Sequence, residues 1–124
     1  GTSGRTTGRT ITVDATRGWV DTGIDVRNGE TLALDATGSV TLSSNASDVA
    51  DPSGSRTGRR AASAPITDQA AGILIARVGD GAPMAVGSRK LITADASGRL
   101  YLSVNDDHFA DNGGAFRVTV SVQR

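Results

Sequence analysis

The sequence contains no cysteine, a single histidine, three prolines, and only two Phe, one Trp and one Tyr among its 124 residues. Without cysteine there is neither a disulfide framework nor a thiolate metal site, and the compartment is left open because secreted bacterial domains also do without disulfides. So few rings leave little for a platform that stacks nucleobases. Thirteen basic residues cancel thirteen acidic ones, so charge gives no reason to expect nucleic acid or an anionic membrane as the main partner. No apolar stretch approaches membrane-spanning length and no signal peptide opens the chain. His108 alone would have to serve any Ser-His-Asp relay, and no Gly-x-Ser-x-Gly elbow accompanies it. Phosphate-loop, dinucleotide and zinc spacings are missing as well.

What remains is a chain sized for one domain with a single core. Sixteen Gly, with Thr, Val and Ser in short blocks between Gly, Asp, Asn and Pro, predict an all-β protein of eight to ten short strands. Residues 1–9 are small, polar and glycine-rich and read as a linker, consistent with a parent protein upstream; residues 10–124 form the domain. Strands are predicted at residues 10–13, 31–34 and 40–42, and a central strand covered on both faces within residues 72–78. Further strands fall at 84–86, 90–93, 99–104 and 116–122. Trp19 is assigned to the core, with sugar stacking as its alternative. Residues 43–67 lose the strand pattern and read as a long irregular segment of the kind that carries function or mobility.

The densest chemistry lies in residues 105–116, where Asp106, Asp107 and Asp111 join Asn105 and Asn112 between two alternating strands. Carboxylates crowded in this way need raised pKa values or a cation, and a set of carboxylate, amide and carbonyl oxygens suits hard Ca²⁺. A solvated hairpin loop is the competing reading, since Asp, Asn and Gly are also the usual turn residues. The loop lacks the EF-hand pattern and any repeated glycine-rich nonapeptide.

Taken in order, Trp19, Asp25-Val26-x-Asn28-Gly29-Glu30-Thr31-Leu32-Ala33-Leu34, Ala36-x-Gly38, Asp51-Pro52-x-Gly54, residues 71–79, Asn105-Asp106 and Asp111-Asn112-Gly113-Gly114-Ala115-Phe116 resemble the PA-IL-like family of calcium-dependent, galactose-binding bacterial lectins. The resemblance implies a jelly-roll-like β-sandwich that binds sugar through one Ca²⁺, and a binding protein rather than an enzyme. By position it implies a metal set of the Leu42 carbonyl and a loop carbonyl near Phe109 or Ala110, assigned to Ala110, with the side chains of Asp106, Asp111 and Asn112. The sugar candidates are Asp106 and Asn112 at the ion, Asp107, whose carbonyl falls where the family contacts sugar, His108 on the loop rim, and Asp51 and Arg56 from the irregular segment, for which a solvated loop is the competing reading. Two departures stand out. The loop from Asp106 to Asp111 is shorter than in galactose-binding members, and Gly58, Arg59, Arg60 and Ala61 occupy the stretch where those members carry a His and a Gln. Galactose specificity therefore does not transfer, and the expected partner is galactose or another sugar with vicinal hydroxyls.

The resulting expectation is a calcium-dependent carbohydrate-binding module, extracellular or periplasmic and possibly tethered to a larger secreted enzyme. The alternative is a structural or adhesive β-sandwich whose Ca²⁺ only stabilises the loop. A glycosidase using Asp106 with Asp48 or Asp51 is disfavoured, because a carboxylate on calcium stays anionic and cannot act as the raised-pKa acid.

Overall fold

The computed structural model describes residues 6–43, 47–58, 60, 64–106 and 112–123. Ten strands follow in chain order: β1 (Thr6–Asp14), β2 (Val20–Val26), β3 (Thr31–Thr41), β4 (Val49–Asp51), β5 (Gly54–Ser55), β6 (Leu74–Val78), β7 (Met84–Ala85), β8 (Arg89–Thr93), β9 (Gly98–Val104) and β10 (Gly113–Gln123). There is no helix among the described residues. One sheet runs β1-β10-β3-β4-β5, with β8 also paired to β3; the other runs β2-β9-β6-β7. Every pairing is antiparallel. The fold is thus the expected all-β sandwich.

Alternation explains how the sheets meet. On β10 the residues Phe116, Val118, Val120 and Val122 are buried, while on β3 Leu32, Leu34, Ala36 and Val40 are buried. The register sets Val118 opposite Ala36, Val120 opposite Leu34 and Val122 opposite Leu32, so each cross-strand pair presents its apolar members to one side. Leu74, Ala76, Val78, Leu100, Leu102 and Val104 supply the opposing layer. Each fully buried Leu, Val or Phe contributes about 1.5–3 kcal/mol relative to exposure. Ile75 is fully buried too but points to the other face of its sheet by alternation, so β6 is covered on both faces as the apolar run predicts.

Two expectations shift. The strands predicted at residues 31–34 and 40–42 are one eleven-residue strand, β3, because Gly38 does not break it. With φ at 108°, Gly38 takes a conformation closed to other residues, and a Cβ there would lie 2.8 Å from the Ala115 carbonyl oxygen. The glycine allows β10 to stay paired past that point. Residues 6–9, read as linker, are the start of β1, where Thr6 faces Gln123 and Arg9 faces Val120.

Candidate functional site

β9 and β10 deliver the central pair of side chains. β9 ends at Val104 and runs directly into Asn105 and Asp106, and β10 starts one residue after Asn112. Both Asp106 and Asn112 are buried, at 3% and 7% exposure, which is unusual for residues flanking a surface loop and calls for partners. The Asn112 amide group donates to Asp106 Oδ2 at 2.8 Å and to the Ala15 carbonyl at 3.0 Å. Both neighbours accept only, so the NH₂ must face them and Oδ1 must face away. That oxygen is buried and has no hydrogen-bond partner among the described residues. A buried acceptor left unmade costs about 1–3 kcal/mol.

Leu42 comes to the same place by register. Thr41 is paired with Gly113, so Leu42 and Asn112 are the next residues outward on the two strands. The Leu42 side chain is buried, and its N–H donates to the Asp48 carbonyl at 2.8 Å, which ties the start of the β3–β4 connection down. Asp51 lies on the other side of this end. Its Oδ1 accepts from the Ser53 N–H at 2.8 Å, closing a local turn, and Pro52 accepts from the Leu74 N–H at 2.9 Å. Because Leu74 is paired with Val104, the turn is fastened one strand away from the segment that carries Asp106. Arg56 is exposed beyond it, with its N–H on the Val49 carbonyl at 3.1 Å. The structure therefore brings Asp106, Asn112 and Leu42 together and puts Asp51 and Arg56 at the same end. Asp107, His108, Ala110 and Asp111 lie outside the described residues.

Asn105, grouped with Asp106 by sequence, has a different task. Fully buried, it accepts from the Ile66 N–H at 2.9 Å and donates to the carbonyls of Ile66 at 2.8 Å and Ala70 at 3.2 Å. Its backbone carbonyl accepts from Gly72 and its N–H donates to Ile73. It pins residues 66–73 beside β9 and so supports Asp106 from behind.

Trp19 is not core. Val20 faces Leu102 across the β2–β9 pair and packs on the core, so alternation turns Trp19 to the outer face. There the Arg77 guanidinium carbon sits 4.9 Å from the Trp19 ring centre and 4.8 Å from that of Tyr101. Sequence reasoning overlooked Arg77 and Tyr101 because each looked like an ordinary strand residue. On the same face Arg99 bonds Asp25 at 2.9 Å and Asp21 at 3.1 Å. The Gly23 amide and the Arg99 guanidinium hold the Asp21 carboxyl below its ordinary pKa. Thr16, through its hydroxyl and its N–H, does the same for Asp14.

No group of three or more His, Cys, Asp and Glu converges among the described residues. The described oxygens at this end are the Asp106 carboxylate, the Asn112 amide and backbone carbonyls. Concave surface elsewhere, such as the groove between Asp35, Arg89, Leu91 and Thr119, touches none of these residues.

No protein-family profile matches the sequence, and no curated protein matches it. Among solved structures the fold is similar to a domain described as the EclA N-terminal domain, a PllA-like lectin. The TM-score is 0.75 and the identity 27%, over 91% of this chain and 94% of that one. The similarity supports a relationship to lectins.

Proposed function

We propose that this chain is a calcium-dependent carbohydrate-binding module in which Asp106 and Asn112 hold the ion at the edge of the sandwich. The observation that carries the reading is the buried Oδ1 of Asn112, an acceptor with no donor, next to a buried carboxylate. A hard cation satisfies such an oxygen without asking for a proton, and Ca²⁺ prefers neutral and anionic oxygens mixed. Leu42 through its carbonyl, with Ala110 and Asp111, completes the proposed set, as the resemblance implies. When bound, Ca²⁺ would supply direct coordination to two vicinal hydroxyls of a sugar.

The chain's own residues do the rest. Ala15 and Asp106 fix the rotamer of Asn112 by taking both of its N–H groups. Asn105 fixes the strand end that carries Asp106. Asp51 and Arg56 stand at the rim, where a carboxylate accepts from and a guanidinium donates to sugar hydroxyls; Asp107 and His108 are proposed to meet the sugar from the loop. A lectin as structural neighbour supports carbohydrate as the ligand and binding rather than turnover as the activity. A site of few charges binds calcium weakly and suits the millimolar calcium found outside cells, so we place the module there, alone or tethered to a larger secreted enzyme.

Calorimetric titration of metal-stripped protein with Ca²⁺, then with a panel of mono- and oligosaccharides with and without the ion, tests this. Sugar heats that require Ca²⁺ are expected. Calcium binding without any sugar heat would favour a structural sandwich whose ion only stiffens the loop, and sugar heats unchanged by chelation would overturn the metal mechanism.

A further inference from the structure

The outer face of the β2-β9-β6-β7 sheet carries a second feature that the calcium reading does not use. Arg77 lies over both Trp19 and Tyr101, and its side chain has no hydrogen bond or ion pair with any described residue. The acids nearest along the sheet are already engaged, since Asp21 and Asp25 both bond Arg99. The Nε of Arg77 is buried without a partner among the described residues, its terminal nitrogens are not among the buried unpartnered atoms, and the residue is half-buried. Contact with two rings restricts the guanidinium, so its remaining donors are held in place before any ligand arrives. The feature is a two-donor fork at the surface, beside two rings, with its charge uncompensated among the described residues.

We infer that Arg77, Trp19 and Tyr101 form a second binding site, for the carboxylate of an acidic sugar of the hexuronate type. A carboxylate matches the guanidinium fork in a way that a neutral hydroxyl does not, and charge complementarity is the argument for it, because no acid among the described residues pairs with Arg77. The rings suit the C–H face of a pyranose that carries the charge, which distinguishes a uronate from a small anion. The site uses none of Asp106, Asn112 or Leu42 and needs no metal, so it stands or falls apart from the calcium site.

Trp19 is the only tryptophan, so its fluorescence reports this patch directly. The full chain is titrated in chelator at low salt with methyl glucuronide, with the methyl ester of the same sugar, and with acetate. A saturable change in Trp19 emission is expected with the uronide alone, weakened at least tenfold in Arg77→Gln and also weakened in Arg77→Lys, which keeps charge and stem but loses the fork. Thermal unfolding of both variants verifies that they fold; should Arg77→Gln fail, the wild-type comparison of acid with ester and the Lys variant still decide. Equal responses to acid and ester, a response to acetate as strong as to the uronide, no saturable response in the wild type, or an unchanged response in a folded Arg77 variant would each overturn the assignment.

Discussion

Asn112 gives both of its side-chain N–H groups to acceptors, one of them Asp106 Oδ2 at 2.8 Å, and this leaves its own carbonyl oxygen buried and unmatched. The two residues are six positions apart, on opposite sides of the loop that joins β9 to β10. Their bond closes the base of that loop from inside the protein. The acceptor left to spare beside a buried carboxylate is what the proposed cation would satisfy.

Removing that carboxylate should therefore separate the metal from the fold. In Asp106→Ala the Asn112 amide loses one acceptor but keeps Ala15, so the metal-free protein should lose about 1–3 kcal/mol. The calcium effect should vanish altogether. At calcium a hundredfold above Kd the wild type should gain about 2.7 kcal/mol over the metal-free state. Thermal unfolding in calcium and in chelator checks both, and an equal calcium shift in wild type and variant would exclude Asp106 as a ligand.

Asn112→Asp asks the complementary question. The substitution replaces two donors by acceptors facing the Asp106 carboxylate and the Ala15 carbonyl, burying two like charges together. Without metal it should cost about 3 kcal/mol or more. Calcium should then raise its melting temperature further than it raises that of the wild type, because the added carboxylate has only the cation to offset it. A variant as stable as wild type in chelator would show that this end of the sandwich is wetter than its burial indicates.

The sandwich and the pair at its edge were largely legible in the chain, and for a definite reason. Alternation on β10 and β9 is strict because each strand has one buried face, so Phe116 to Val122 and Leu100 to Val104 announce themselves. Asp106 and Asn112 were singled out through the resemblance, and the structure joins them by a hydrogen bond; their composition alone suited a solvated turn equally well. Position along the sheet was not. The outward turn of Trp19 depends on the register of Val20 with Leu102, and Gly38 breaks a pattern in sequence without breaking the strand in space. Arg77 gave no signal, since its meaning comes from two rings elsewhere in the sequence, Tyr101 on β9 and Trp19 just before β2.

Gly72 has a φ of 85°, and a Cβ there would fall 2.4 Å from the Ala50 Cβ and 3.1 Å from Leu42 Cδ1. Gly72→Ala meets both a backbone penalty and an overpacked core, together about 3 kcal/mol or more. Because the clash reaches Leu42, calcium affinity should fall along with stability. Ala50→Gly on the same background should recover part of the stability, measured by urea unfolding, because it removes the atom met first; no recovery would place the cost in the backbone alone.

Asp21 offers a test by pH. Its carboxyl is held below the ordinary 3.8, first by the Gly23 amide and then by Arg99. A depressed folded-state pKa contributes stability that is present above the unfolded value and lost as pH falls through the folded one, so the effect belongs to the acid side of pH 4. The group is exposed, and salt should shrink the contribution further. Carboxyl NMR should show Asp21 titrating below 3.8, with Arg99→Gln moving the midpoint only part of the way back because the Gly23 bond survives. A full return would make Arg99 the main cause.

Asn105 is the place where support and chemistry can be told apart. Its side chain makes three hydrogen bonds to the backbone of Ile66 and Ala70, all in a position with no exposure. Asn105→Ala leaves buried N–H and C=O groups unmatched, and the loss should be about 3 kcal/mol, or roughly 10 °C in melting temperature for a domain of this size. If Asn105 only braces residues 66–73, the folded variant at low temperature should still bind calcium, within a few-fold of wild type, because Asp106 and Asn112 keep their mutual bond. Calorimetry at 10 °C reads that affinity. Complete loss of calcium binding in a folded Asn105→Ala would mean that the residues pinned behind β9 set the geometry of the site and not merely its stability.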